Sequence, residues 1–177
     1  MFKHLRILAI TGAAALPLMI TAIPAHAGTA SSTFSVTATV VNSCKINSVG
    51  NLAFGNNDPT SATAATGSSS ISVNCTKGDA YTIALNYGVN GGTAANRIMS
   101  DGATPTADLL NYNLYTDSAY KNVWNSTCTA GNNCDGGTGA GPGAGNALTY
   151  TVYGQIAAGQ NVPAGSYSDT ITLTVNF

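Results

Sequence analysis

The chain has 177 residues, with six Lys or Arg against seven Asp, no Glu and two His, for a formal charge of −1. Only 7% of its residues are charged, and Thr, Ser, Asn, Gly and Ala fill much of the rest. So few cations exclude a nucleic-acid-binding or anionic-membrane-binding surface, and the hydroxyl-rich remainder points to an exported β protein.

The first segment, "MFKHLRILAITGAAALPLMITAIPAHA", places Lys3 and Arg6 before an apolar run and ends on Ala25-His26-Ala27. A charged head, an apolar middle and a small-x-small end read as a secretory signal peptide over residues 1–27, cleaved before Gly28. A membrane anchor is the rival reading, but Pro17 and Pro24 interrupt the run. No later stretch approaches the roughly 20 apolar residues that span a bilayer, so no stable membrane insertion is expected. Removing 27 residues leaves 150, which suits one domain, with four cations against seven Asp for a charge of −3.

In "TFSVTATVVNSC", Phe34, Val36, Ala38 and Val40 alternate with Ser35, Thr37 and Thr39, the period of a half-buried strand. "NLAFGNNDPT" is a short apolar patch before a turn. Residues 60–70, all Ser, Thr, Ala and Gly, read as a mobile loop or a plain edge strand. "SISVNCT" aligns Ile71, Val73 and Cys75, and "YTIALNY" aligns Tyr81, Ile83, Leu85 and Tyr87. "GVNGGTAANR" reads as a turn-rich connection, and "LLNYNLYTD" aligns Leu110, Tyr112 and Leu114. "CTAGNNCDGGTGAGPGAGN" reads as a long Gly-rich loop, followed by Leu148, Tyr150, Val152 and Ile156 on one strand face. In the closing "GSYSDTITLTVNF", Tyr167, Ile171, Leu173, Val175 and Phe177 share a face broken only by Asp169. No segment shows a 3.6-residue pattern, so the expected fold is all-β, a Greek-key sandwich in preference to a barrel.

Cys44, Cys75, Cys128 and Cys134 form an even set, which in an exported chain reads as two disulfides with three possible pairings. The expected set is Cys44–Cys75, tying two early strands, and Cys128–Cys134, closing "CTAGNNC". A four-thiolate metal site lacks any C-x-x-C spacing, so no metal is expected.

Chemistry has little to stand on. Both His4 and His26 leave with the signal peptide, and without Glu the chain lacks its commonest general acid–base groups. Asp-only hydrolysis needs two facing carboxylates, whereas Asp58, Asp101 and Asp135 sit in turn contexts. "GAGPGAGN" lacks the Lys-Ser/Thr ending of a phosphate loop, and no loop has EF-hand spacing. No enzyme activity, catalytic residue or cofactor is expected.

The last strand either lies inside a sheet or needs cover at an edge. Another chain supplying the next strand would provide that cover, and residues 33–41 are a candidate donor. They are equally well read as the first strand of their own sandwich.

The blocks "TFSVTATVVNSCKI", "LAFG", "SISVNCTKG", "YTIALNYG", "LLNYNLYTDSAYKNVW" and "TYTVYGQIAAGQNVPAGSYSDTITLTVNF" come in the order seen in spore coat protein U domain proteins. The chain resembles that family over essentially all of the processed sequence, and the family resembles the subunits of archaic chaperone–usher pili of Gram-negative bacteria. The final block, with "YGQI", "VPAGSYSD" and the terminal aromatic, is its most specific part. The resemblance implies an incomplete immunoglobulin-like sandwich that lacks its last strand. It implies a donor extension at 28–43 and a domain at 44–177. Phe34, Val36, Ala38 and Val40 would be the donor residues. Ile171, Leu173, Val175 and Phe177 would form the edge strand beside the missing one, lining an acceptor groove. The Cys44–Cys75 link matches the family, whereas Cys128 and Cys134 are outside the pattern. The implied partners are neighbouring subunits, in a homo- or heteropolymer, a periplasmic chaperone and an outer-membrane usher. The implied place is the cell surface, reached through the periplasm, and the implied role is a fibre subunit serving attachment and biofilm formation. The alternatives are a self-complete sandwich that recognises carbohydrate or surfaces through its Tyr and Trp124, or a spore or cyst coat component.

Overall fold

A computed structural model describes residues 27–103, 106–128, 134–141 and 146–177; the signal-peptide reading, with His4 and His26, falls outside them except for Ala27. The chain divides into a leading unit that ends at Ala38 and a second that runs from Thr39 to Phe177. In the leading unit the described residues form no strand and are exposed throughout, Phe34 by 87%.

Among the described residues the second unit has eight strands: β1 Cys44–Val49, β2 Ala65–Cys75, β3 Ala80–Leu85, β4 Arg97–Ser100, β5 Leu109–Tyr115, β6 Asp135–Thr138, β7 Leu148–Ile156 and β8 Leu173–Asn176. They form two sheets, ordered β1-β2-β7-β5-β4 and β6-β3-β8, in which every pair is antiparallel. β2 and β3 are consecutive but lie in different sheets, and β7 returns between β2 and β5. These are crossovers of the Greek-key kind, so the all-β sandwich expected from the sequence is the architecture observed. Among the described residues no helix is long and apolar enough to cross a membrane.

Alternation sends one face of each strand inward. The core gathers Ile71 and Val73 of β2, Tyr81, Ile83 and Leu85 of β3, and Leu110, Tyr112 and Leu114 of β5, with Val152, Ile156 and Trp124. Cys44 and Cys75 are register partners in β1 and β2 and are bridged, as are Cys128 and Cys134.

Several elements depart from the sequence reading. The Ser- and Thr-rich residues 65–70 are not a loop: they begin the eleven-residue β2, in register with β7 from Ala65–Ile156 to Val73–Leu148, and since β1 pairs only from Ile71 onward they have a strand on one side only, as the edge-strand reading expected. Composition hid this because Ser and Thr occupy the outward positions, while small residues suffice where Leu52 and Ala53 press on Gly67. Asp135 lies not in a turn but in β6, which borders β3. Its neighbour Gly136 is needed because a Cβ there would collide with the Tyr81 carbonyl. The last strand is shorter than its alternation, and ladder pairing begins only at Leu173. Trp124 is fully buried, with its indole N–H donating to the Ile83 carbonyl at 2.7 Å. A buried ring cannot stack on a sugar, so the expected role of Trp124 in carbohydrate binding does not hold.

Candidate functional site

The sandwich is open where the continuation of β1 faces the approach to β8. β1 ends the five-stranded sheet and β8 ends the three-stranded sheet, and among the described residues each has one neighbouring strand. Beyond β1 the chain continues as 50–57, and the approach to β8 runs through 162–172, neither in a named strand. Both segments alternate. Leu52 and Phe54 turn inward on one, and Tyr167, Asp169 and Ile171 on the other, with exposed residues between. Among the described residues no hydrogen bond joins these two lips.

Between the lips lies a cavity of about 430 Å³, walled by residues that include Val49, Ile71, Leu85, Leu114, Val152 and Ile171. A second hollow of about 740 Å³ shares Leu52, Phe54, Met99 and Tyr167 with it and extends toward Leu110, Ile156 and Val162. The floor is the sandwich core itself, so the slot is an unfilled interval in the core rather than a surface dimple. Its chemistry is apolar burial plus two rows of backbone groups at sheet edges, which is what an extended peptide needs.

The C-terminal lip is held by polar bonds. Ser168 and Ser100 of β4 exchange backbone hydrogen bonds, at 2.9 and 3.0 Å. Four residues later the chain has joined the other sheet: the Asn86 N–H donates to the Thr172 carbonyl at 3.0 Å, and the Thr172 N–H donates to Asn86 Oδ1 at 2.8 Å. Asp169 lies in this crossing. Its Oδ1 accepts from the N–H groups of Val89 (2.9 Å) and Thr170 (2.8 Å) and from Asn90 Nδ2 (3.1 Å). Its Oδ2 accepts from the Tyr112 hydroxyl at 2.7 Å. Burial, then this bond to a carboxylate, pushes the Tyr112 hydroxyl far above the usual tyrosine range. Gly88 has φ +87°, and a Cβ there would collide with the Asp169 carboxylate.

Asn86 is held in turn by Arg97, which is fully buried. Its Nε donates to the Asn86 carbonyl (2.9 Å), its Nη1 to Asn113 Oδ1 (2.7 Å), and its Nη2 to the carbonyls of Leu85 (3.1 Å) and Trp124 (2.6 Å). Burial draws this guanidinium below its ordinary range. The four acceptors come from both sheets and the β5–β6 connection, so one cation knits the corner on which the lip rests.

The sequence-derived residues fall in two places. Ile171 and Leu173 line the groove, Val175 packs on the core beside it, and Phe177 is 58% exposed. Phe34, Val36, Ala38 and Val40 are all exposed and lie in no strand. Leu52, Phe54, Met99, Arg97 and Asp169 went unassigned. "LAFG" already carried the alternation that brings Leu52 and Phe54 inward, and Asp169 was marked by breaking the inward face. Nothing local marked Arg97, whose partners are backbone carbonyls distant in sequence. Asp58, Asp101 and Asp117 accept backbone N–H bonds close by in their own loops. Among the described residues no cluster of His, Cys, Asp or Glu is arranged to hold a metal.

Comparison with known proteins gives three findings. The family model described as Spore Coat Protein U domain matches residues 30–174. The chain is 35% identical over 182 residues to "Protein U" of Myxococcus xanthus, covering 96% of this chain and 95% of that protein. Its fold is similar to that of a chain in the crystal structure of the CsuC–CsuE chaperone–tip adhesion subunit pre-assembly complex from archaic chaperone–usher Csu pili of Acinetobacter baumannii. That likeness has a TM-score of 0.53 at 24% identity, over 78% of this chain and 40% of the other.

Proposed function

The chain belongs to the Spore Coat Protein U domain family, and from that premise we propose that it is a non-catalytic structural subunit of a surface fibre assembled by donor-strand complementation. The observation that carries this reading is the slot between two alternating lips that share no hydrogen bond among the described residues, in a chain that also bears an exposed, alternating, uncharged segment. Residues 44–177 act as the acceptor domain and residues 28–43 as the donor extension for the next subunit. Phe34, Val36, Ala38 and Val40 enter a neighbour's groove beside Ile171, Leu173, Val175 and Phe177. Each Val or Phe moved from water to a core contributes about 1.5–3 kcal/mol. Three such residues therefore supply an amount comparable with the whole stability of a small domain, about 5–15 kcal/mol. Before assembly a periplasmic chaperone covers the groove, and an outer-membrane usher exports the subunit to the cell surface. Attachment and biofilm formation are the proposed roles of the fibre.

The test replaces Val36 by Asp and, separately, Thr37 by Asp. An unpaired carboxylate in an apolar groove costs several kcal/mol or must take up a proton. Val36→Asp is expected to remove the polymer ladder on unheated gels, and Thr37→Asp, on the opposite face, to keep most of it. Equal ladders for Val36→Asp and wild type would return residues 33–41 to their own sandwich.

A further inference from the structure

We infer that Asp169 is the positioning residue of the groove: its carboxylate pins the C-terminal lip where that lip crosses from one sheet to the other, so that the lip is in place before a strand enters. This rests on the acceptor reading above and adds to it the device that keeps the acceptor ready.

The parity of the lip calls for an apolar side chain at this position, because Tyr167, Ile171, Leu173 and Val175 all turn inward with it. A carboxylate there is unfavourable unless its oxygens are bonded. Asp169 is bonded on both oxygens, to one strand and to the loop that joins the two sheets. Tyr112 donates from β5 of the five-stranded sheet, while Val89 and Asn90 donate from the loop that leaves β3 of the three-stranded sheet. The lip itself changes sheets across this point, between the Ser100 bonds and the Asn86 bonds. One side chain therefore ties the lip to β5 and to the β3–β4 loop at the point where it changes sheets. The absence of a Cβ at Gly88 lets it do so.

An empty slot of this kind is under pressure to close. Apolar lining favours burial, and the free side of each lip favours pairing with the other. A brace that is satisfied without the guest opposes that collapse. Once a donor strand is seated, its own backbone bonds hold the lip in place and the brace is redundant. Asp169 should therefore govern how fast a donor enters more than how firmly it stays.

The experiment offers a fluorescent synthetic peptide of residues 33–41 to the dilute full chain and follows uptake, release and the thermal midpoint of the loaded protein. Asp169→Asn keeps the shape and the Oδ1 acceptor but loses the charge and the acceptor for Tyr112. It should slow uptake at least five-fold, while release stays within two-fold of wild type and the loaded midpoint barely moves. Tyr112→Phe removes a single bond and should slow uptake by a smaller factor. Unchanged uptake in Asp169→Asn overturns the inference and leaves the acceptor reading standing. Faster release with a lowered loaded midpoint also overturns it, because the residue is then only a general support. If Asp169→Asn does not fold, Tyr112→Phe decides by the same readings. If wild type takes up no peptide, the acceptor reading fails and this inference with it.

Discussion

Residues 33–41 and 167–177 have nearly the same pattern, alternating apolar side chains with Ser and Thr, yet they end in opposite conditions. The first stretch is exposed and in no strand; the second has its inward residues half-buried and finishes as β8 against β3. The difference does not lie in apolarity, since Phe34, Val36 and Val40 together carry about the same apolar bulk as Ile171, Leu173 and Val175. It lies in polar attachment. Ser168, Asp169 and Thr172 are bonded to Ser100, Val89, Asn90, Tyr112 and Asn86, whereas "TFSVTATVV" contains no carboxylate or amide to anchor it. Alternation makes a segment fit to be a strand, and directional bonds decide which sheet it joins.

The largest test of this contrast is a pair of deletions. Removing residues 28–41 should abolish polymer ladders and leave a domain that still takes up the 33–41 peptide, because the groove is intact. Removing residues 173–177 should abolish folding, since it strips β8 from β3 and opens the core at Ile83 and Leu85. Near-ultraviolet circular dichroism and peptide uptake separate the two results. Equal loss of structure in both would erase the distinction between the two ends.

Arg97→Met is expected to have the next largest effect. The variant removes a buried charge, but the acceptors it served are mostly backbone carbonyls that no substitution can remove. Each buried acceptor left unpaired costs about 1–3 kcal/mol, so a loss of at least about 3 kcal/mol in urea unfolding is expected. The damage should fall on the C-terminal lip, which reaches Arg97 through Asn86. The variant should still donate its own residues 33–41 to wild-type subunits while accepting none, which would sharpen the contrast between the two ends.

How much of this was legible in the sequence follows the same physics. The strands at 71–75, 81–85, 109–115 and 148–156 were visible because period 2 is imposed wherever one face meets a core. β6 was missed because "DGGT" has almost no side chains to show a period, and its glycines answer to the Tyr81 backbone instead. The start of β2 stayed open between loop and edge strand because Ser and Thr can face either solvent or a small gap. Within the candidate site the apolar lining of the second lip was readable, and so was the anomaly at Asp169. Its partners were not, because they lie 57 to 80 residues away in sequence.

The smallest effect is expected at the other edge of the same three-stranded sheet, where β6 is the counterpart of β8. Asp135 begins β6, and burial raises its carboxyl above the ordinary carboxylate value, against a lowering from the Gly136 backbone bond. The sign of the linkage follows directly. In strong acid both folded and unfolded chains are protonated here, and the group contributes nothing. As pH rises through the ordinary Asp value of about 3.9, the unfolded chain ionises first and folding is weakened. The deficit is complete once the folded carboxyl has also ionised. Asp135→Asn removes it, so the variant should melt slightly above wild type at neutral pH, and the gain should vanish near pH 3. Uptake of the 33–41 peptide should be unchanged, because this edge does not border the groove. An altered uptake rate would mean that the two edges of the sheet are coupled, and that the groove depends on more than the lip that Asp169 holds.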